Sequence, residues 1–324
     1  MDAANLAQYT LGWIGTGRMG FPMAAKLAQS GARVSAYNRT RAKAEPLTKY
    51  GAGIVATPAD LADRDIVFTM VSTGDDLLKV TTGEHGLLAR ADRAPKIIID
   101  ASTVSEEASA ALRRAAAKRD TALLAAPVSG NAKVIKAGKL SFVVSGPKAA
   151  FETAKPYLDA LAVGVSYVGE GELARIVKIC HNMFLGIVAQ SMAEITILAQ
   201  KAGVPRHAFL DFLNKSVMGS TFTRYKTPAY VNLDFATTFT PKLLRKDLDL
   251  GLAAGRALDV PLPVTTATRE VLQAHIGRGS LVGADYLDKD FATLLEHQAL
   301  LSGVKLAPEN VAVSDGLTPE TKAA

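Results

Sequence analysis

From Thr10 onward, the first half of the chain alternates short β-branched runs with alanine-rich stretches whose apolar residues recur every three or four positions. That alternation predicts βα units stacked into a mostly parallel sheet. The expected strands are Thr10–Ile14, Arg33–Tyr37, Ile54–Ala56, Ile66–Val71, Ile97–Asp100, Ala122–Ala126, Ser141–Ser145 and Val165–Val168. Helices are expected over Met19–Ser30, Ser105–Lys118 and Lys148–Leu161, among others. Past Gly171 the strand period disappears. From there to about Leu301, apolar spacing of three and four, punctuated by Gly203, Pro205, Pro241, Pro261 and Gly277, predicts only helices. Glu172–Lys201 reads as one helix of roughly 45 Å that connects the two halves. The predicted organisation is an α/β domain over 1–170, an all-α domain over 171–305 and a polar tail over 306–324. The tail is expected to be mobile or laid on a partner.

Composition sharpens this picture in four ways. With 324 residues, 48% hydrophobic and 21% charged, the chain has material for two cored domains and does not read as disordered. The single cysteine, Cys180, cannot form an intramolecular disulfide, and the start MDAANLAQYT lacks a basic and then apolar leader, so a reducing cytoplasm is expected. The apolar stretch 176–199 is interrupted by Lys178, His181, Asn182, Gln190 and Glu194, which reads as a buried helix rather than a membrane span. Lys plus Arg number 37 against 31 acids, a net +6, but they are spread without basic runs or interleaved aromatics. This argues against nucleic acid and suits a phosphorylated cofactor and a carboxylate substrate. His181, His207, His275 and His297 show no ligand spacing, and no metal is expected.

Behind the first strand come Gly15, Thr16, Gly17, Arg18, Met19 and Gly20, followed at once by a helical pattern. This is the dinucleotide fingerprint in its proper strand–turn–helix context. The glycines allow the tight turn, the close approach of pyrophosphate and the packing of helix on strand, and the helix start offers free N–H groups to phosphate. The second strand ends in Tyr37, Asn38, Arg39 and Thr40, with no carboxylate for ribose hydroxyls. Arg39, with Arg41 and Lys43 nearby, offers donors for a 2′-phosphate, so NADP(H) is the expected cofactor and NAD(H) the alternative. The plainer reading of Arg39 is a surface arginine.

Six segments in order, IGTGRMGFPMAAKLAQSG, YNRT, DAST, PVSG, KICHN and KDLDLGL, make residues 10–303 resemble the β-hydroxyacid dehydrogenases, the family of 3-hydroxyisobutyrate dehydrogenase and the succinic semialdehyde and glyoxylate reductases. The resemblance implies a Rossmann domain, a long interdomain helix, an all-α domain, and hydride transfer between NAD(P) and the carbon bearing a hydroxyl β to a carboxylate. It places Lys178 at the catalytic lysine, the general acid and base, which works with a pKa depressed by desolvation and nearby cations. Asn182, one turn on and on the same face, orients the substrate. Arg175, one turn earlier, has no useful pKa and is assigned to anchoring or structure. Ser102 and Thr103 are expected to contact nicotinamide and substrate, or else to cap a helix starting near Val104. Val71 and Ser72 join the cofactor set. Ser129 and Gly130 hold the substrate carboxylate. Lys246 approaches cofactor or substrate and Asp247 holds the helix or the lysine, unless the two form a surface ion pair; Phe239 is either a wall of the cleft or core. The chain departs from the family at Glu172 and Ala174, where glycines are usual, and at Ala125, Asn131, Val134 and Ile135. With Lys133 and Lys136, the latter group predicts an altered acid pocket.

The resulting expectation is an NADP(H)-preferring oxidoreductase that interconverts a small β-hydroxy acid and its semialdehyde or keto acid in a cleft between domains, as a homodimer or homotetramer. An imine reductase of the same fold and a catalytically silent dinucleotide-binding scaffold are the rivals. Lys178 argues against the first, and Lys178 with Asn182 against the second.

Overall fold

The computed structural model describes residues 6–283 and 285–317. Two compact units divide between Lys178 and Ile179, inside the long helix rather than ahead of it.

The first unit is built on β1 (Thr10–Ile14), α1 (Gly20–Gln29), β2 (Arg33–Tyr37), β3 (Gly53–Ile54), β4 (Ile66–Thr69), α2 (Gly74–Thr82), β5 (Ile97–Asp100), α3 (Glu106–Ala117) and β6 (Ala122–Ala125). Its six strands form an all-parallel sheet in the order β3-β2-β1-β4-β5-β6, which reverses direction between β1 and β4. The strands IVFT and IIID are buried throughout, because helices cover both faces. Alternate residues feed two cores: Trp13, Phe68 and Ile99 pack with Met23 and Leu27 on one side, and Ile14, Val67 and Ile98 pack with Leu77 and Leu112 on the other.

A second, three-stranded sheet follows, made from β7 (Val128–Ser129), β8 (Ser141–Val144) and β9 (Gly164–Tyr167), with α4 (Ala132–Lys136) and α5 (Lys148–Leu161) between them. β7 runs antiparallel to β8, and β8 parallel to β9. β7 and α4, at two and five residues, are too short to leave a period in the sequence. The long helix α6 spans Leu173–Lys201.

The second unit adds α7 (Arg206–Lys215), α8 (Thr221–Asn232), α9 (Pro241–Ala257), α10 (Pro263–Val282) and α11 (Leu294–Leu301). Met192 and Ile197 of α6, Leu244 and Leu248 of α9, Leu272 of α10 and Leu295 of α11 share its core. A buried ion pair lies within it: the Lys226 ammonium meets Asp290 at 2.5 Å and sits over the Phe291 ring at 4.2 Å. Burial alone would raise the Asp290 carboxyl, but the Lys226 charge and the bonds from Lys226, Thr238 and Ala292 hold it below the usual carboxylate range.

The end of the chain is folded back on this unit. The backbone N–H groups of Arg206 and His207 donate to the Glu309 carboxylate at 2.7 and 2.9 Å, Asn232 bonds Val311, and Leu317 is buried. The described part of the expected tail, 306–317, thus lies on the chain's own helices; 318–324 lie outside the described residues.

His275 and His297 are buried side by side on α10 and α11, with ring centroids 5.6 Å apart. Burial first, then His297 and the Arg278 cation, push His275 down to about 4. The unfolded chain therefore takes up this proton before the folded one does, and stability present above about pH 6.5 is lost as pH falls toward 4. Urea unfolding at pH 7 and pH 5 is expected to differ by about 2 kcal/mol from His275 alone. Replacing His275 with Gln should flatten that slope, and an unchanged slope would remove His275 as its source.

Candidate active site

The loop after β1 is fixed by its own backbone and by β2. The Gly15 N–H donates to the Tyr37 carbonyl at 2.9 Å, and the Thr16 N–H to the Asn38 side-chain oxygen at 2.9 Å. Asn38 in turn donates to the Thr40 carbonyl at 2.9 Å, so both ends of its amide tie the two loops together. Gly15 has φ +96°, and a Cβ there would stand 2.2 Å from the Met70 carbonyl oxygen; one at Gly20 would stand 1.9 Å from the Gly15 oxygen. Gly17 differs, since a side chain there would meet no neighbour within 4 Å. Behind it α1 begins at Gly20 with no side-chain cap and no acid in its first turn; the Phe21 and Met23 N–H groups bond the Gly17 and Met19 carbonyls and residue 22 is proline, which leaves the Gly20 N–H at the positive end of the helix. The Thr16 hydroxyl is buried and has no partner among the described residues. Open space over Gly17, a helix start without an acid and a buried hydroxyl with no partner among the described residues together fit a dinucleotide pyrophosphate. Arg39 is exposed at the end of β2 and pairs with Asp76 of α2 at 3.2 Å.

At the carboxyl edge of the sheet, Asp100 ends β5 fully buried. It accepts the Thr69 hydroxyl at 2.7 Å and the Ser102 N–H at 3.1 Å, and its other oxygen meets the Arg175 guanidinium at 2.5 Å. Arg175 also donates to the Ser102 carbonyl and to Ser109 of α3. The Ser102 hydroxyl accepts the Val71 N–H at 2.9 Å and is fully buried; Thr103 is half-buried and Ser72 exposed. The helix cap considered for Ser102 or Thr103 belongs instead to Ser105, which accepts from Ala108 N–H at the start of α3. The first turn of α6 is held by Arg113 as well, which binds Glu172 at 2.6 Å and the Gly171 carbonyl at 2.8 Å, while Ser145 accepts the Ala174 N–H at 3.0 Å. Glu172 and Ala174 thus begin the helix where the family has glycines.

Lys178 follows Arg175 by three residues on α6 and is buried. One turn further, Asn182 donates to Asp247 of α9 at 2.6 Å, and its amide oxygen lies 2.9 Å from His181 Nδ1. The second Asp247 oxygen pairs with Lys246 at 3.2 Å, with Asp247 buried and Lys246 part-exposed. Phe239 stands edge-on to Phe291 at 6.1 Å and packs on the helical core. Ser129 ends β7 and the exposed Gly130 follows it. Asn131 is turned in as the cap of α4, accepting the Lys133 and Val134 N–H groups at 2.9 and 3.1 Å, and Val134 and Ile135 are buried. The added bulk of this loop thus goes into capping and core, leaving Lys133 and Lys136 on the outside. Among the described residues no metal-binding cluster is present.

Residues 10–169 match the NAD-binding domain of 6-phosphogluconate dehydrogenase, and residues 172–293 match the NAD-binding domain of NADP-dependent 3-hydroxyisobutyrate dehydrogenase. The chain is 30% identical over 292 residues to 3-hydroxyisobutyrate dehydrogenase of Pseudomonas aeruginosa, covering 88% of this chain and 96% of the relative. It is equally 30% identical over 299 residues to 2-(hydroxymethyl)glutarate dehydrogenase of Eubacterium barkeri, covering 92% and 97%. The chain belongs to the β-hydroxyacid dehydrogenase family. The solved 3-hydroxyisobutyrate dehydrogenase of Mycobacterium tuberculosis has a similar structure, with a TM-score of 0.75 at 26% identity, covering 89% of this chain and 98% of that one. As a β-hydroxyacid dehydrogenase the protein is an NAD(P)-dependent oxidoreductase with a nicotinamide dinucleotide as cofactor.

Sequence reading picked out Ser102 and Thr103 in DAST but not Asp100, the residue around which this β-hydroxyacid dehydrogenase organises the strand ends. A carboxylate closing an all-apolar strand, and an arginine within an apolar helix, were the available signals. Arg175→Met leaves the Asp100 carboxylate without its cation and is expected to cost about 3–5 kcal/mol, read from urea unfolding. Adding Asp100→Asn should recover part of the loss, whereas strictly additive losses would mean the two groups are not coupled.

Proposed function

We propose that the protein is an NADP(H)-preferring enzyme that interconverts a small β-hydroxy acid and its semialdehyde or keto acid, with Lys178 as the proton carrier. The observation that carries this reading is a buried lysine on α6, one turn from an asparagine whose amide is oriented by Asp247. The dinucleotide, when bound, supplies the hydride acceptor for oxidation and the hydride donor for reduction. Lys178 Nζ takes the hydroxyl proton as the alcohol is oxidised and returns a proton to the oxygen in reduction. Asn182 bonds the same oxygen or its neighbour and keeps the substrate in line. The Ser129 hydroxyl and Gly130 N–H hold the carboxylate, and Thr103, the more exposed of its pair, contacts the nicotinamide end with Val71 and Ser72. Lys246 reaches the ligand from α9.

The loop Gly15, Thr16, Gly17, Arg18, Met19 and Gly20 holds the pyrophosphate, with Asn38 and Thr40 shaping its far side. Two features support NADP(H) over NAD(H): β2 ends without a carboxylate, and Arg39 is exposed there against a single acid, Asp76. A 2′-phosphate carries more charge than that carboxylate and accepts both arms of the guanidinium. The relatives named above differ in the acid they are named for, which leaves the acid of this protein to its own residues. The proposed setting is the cytoplasm, where Cys180 stays reduced. A second copy of the chain is proposed to cover α6, where Phe184 and Leu198 are 67% and 70% exposed.

Turnover is tested by following nicotinamide absorbance with NADP(H) and NAD(H) against 3-hydroxyisobutyrate, succinic semialdehyde and glyoxylate. Lys178→Ala is expected to lower kcat by about 10²–10⁴-fold with folding intact. A full rate in that variant would end the lysine mechanism. Arg39→Glu should raise the KM for NADP(H) by about 10–100-fold and spare NAD(H), since a charged hydrogen-bonded pair is lost. Parallel losses with both cofactors would refute the assignment of Arg39.

A further inference from the structure

Lys242, Arg245, Lys246, Asp249 and Leu250 stand three and four residues apart on one face of α9 and line a shallow, open groove on its surface. The groove contains one acid, and Arg269 of α10 already takes it, binding Asp249 at 2.8 Å. Arg245 donates to the neutral side-chain oxygen of Gln273 at 3.2 Å, which leaves the guanidinium charge uncompensated. Among the described residues no carboxylate lies within ion-pair distance of Lys242 or Arg245. For Lys242 the helix itself gives no reason for this arrangement. Lys242 sits in the first turn of α9, where the helix dipole disfavours a cation, and it stands four residues from Lys246, a like-charge spacing that weakens a helix. Cations gathered against both rules fit an anion held between them.

We propose that this groove binds a second carboxylate of the substrate, so that the acid handled by this enzyme is a small hydroxy diacid. The inference rests on the reading of the active site given above. Lys246 connects the two: it lines the groove and pairs with Asp247, which orients Asn182. Lys242 lies one turn further, about 6 Å along the helix axis, the span of a short carbon chain. Arg245 offers its fork to the carboxylate and Lys242 a point charge.

Calorimetric titration of the full chain with glutarate and with butyrate tests the groove without any turnover. Glutarate is expected to bind more tightly than butyrate by about tenfold or more, and this margin should collapse in Lys242→Gln/Arg245→Gln. In turnover, the ratio of kcat/KM for dicarboxylic over monocarboxylic β-hydroxy acids should fall in the same variant by about the same factor. Equal losses on both kinds of acid, a glutarate margin that survives the double substitution, or no glutarate binding by the parent chain would each overturn the proposal. So would a loss of NADP(H) affinity with the diacid margin intact, which would put the anion on the cofactor. A chain that binds glutarate selectively but turns over no hydroxy acid would refute the proposed reaction and leave the groove standing.

Discussion

A carboxylate at the end of an apolar strand has to be met by a cation and by hydrogen bonds, because burying an unpaired charge costs several kcal/mol. Asp100 meets that demand with three partners: the Thr69 hydroxyl from β4, the Ser102 N–H from the loop after β5, and the Arg175 guanidinium from α6. Each partner belongs to a different segment, so one carboxylate fixes the ends of two strands and the first turn of the long helix as a single body. Lys178 inherits its position from this, since it follows Arg175 by one turn of the same helix. The Val71 N–H is drawn in through the Ser102 hydroxyl. The carboxyl edge of a parallel sheet is where ligands bind in folds of this kind, and here the edge is set by a buried charge before any ligand arrives.

Much of this was legible in the chain. Apart from the two-residue β3, which covers Gly53–Ile54 where Ile54–Ala56 is expected, the strands of the main sheet and the major helices are legible in the chain, and the glycine loop stands in the context its chemistry requires. What could not be read was the direction of side chains in short segments and the pairing of distant charges. Asn131, Val134 and Ile135 looked like a reshaped acid pocket, but in a five-residue helix periodicity cannot say which side faces in. The structure spends Asn131 on a cap and the two apolar residues on the core. Asp100 and Arg175 are 75 residues apart in the chain, and nothing local to either names the other.

The basic excess also changes meaning once the fold is known. A net charge of +6 suggests an electropositive surface, yet several of the cations work inside. Arg175 and Lys226 neutralise buried acids, and Arg206 donates to the carbonyls of Tyr230 and Val231 at the end of α8 and of Ala307 in the returning segment. That last set explains why a polar, proline-containing segment does not move freely: its backbone is bonded to a buried guanidinium, and Glu309 closes the start of α7. Lys242 and Arg245, by contrast, have no carboxylate within ion-pair distance among the described residues, and Arg245 bonds the neutral Gln273.

The long helix shows how polar residues can be read by the face they occupy. In α6 the side chains of Arg175, Lys178, Asn182 and Gln190 are buried, while Phe184, Ile195 and Leu198 are exposed. A helix that served only to cover a core would carry the opposite arrangement. Polar groups accept burial where a partner repays their desolvation, as Asp100 does for Arg175, Asp247 for Asn182 and Glu194 for Gln190. Lys178 lies among them at helical spacing on the same face, and it is buried as they are. The catalytic reading of Lys178 therefore depends on residues that never touch the substrate, and substitutions at Asp100 or Asp247 should be judged by what they do to that face.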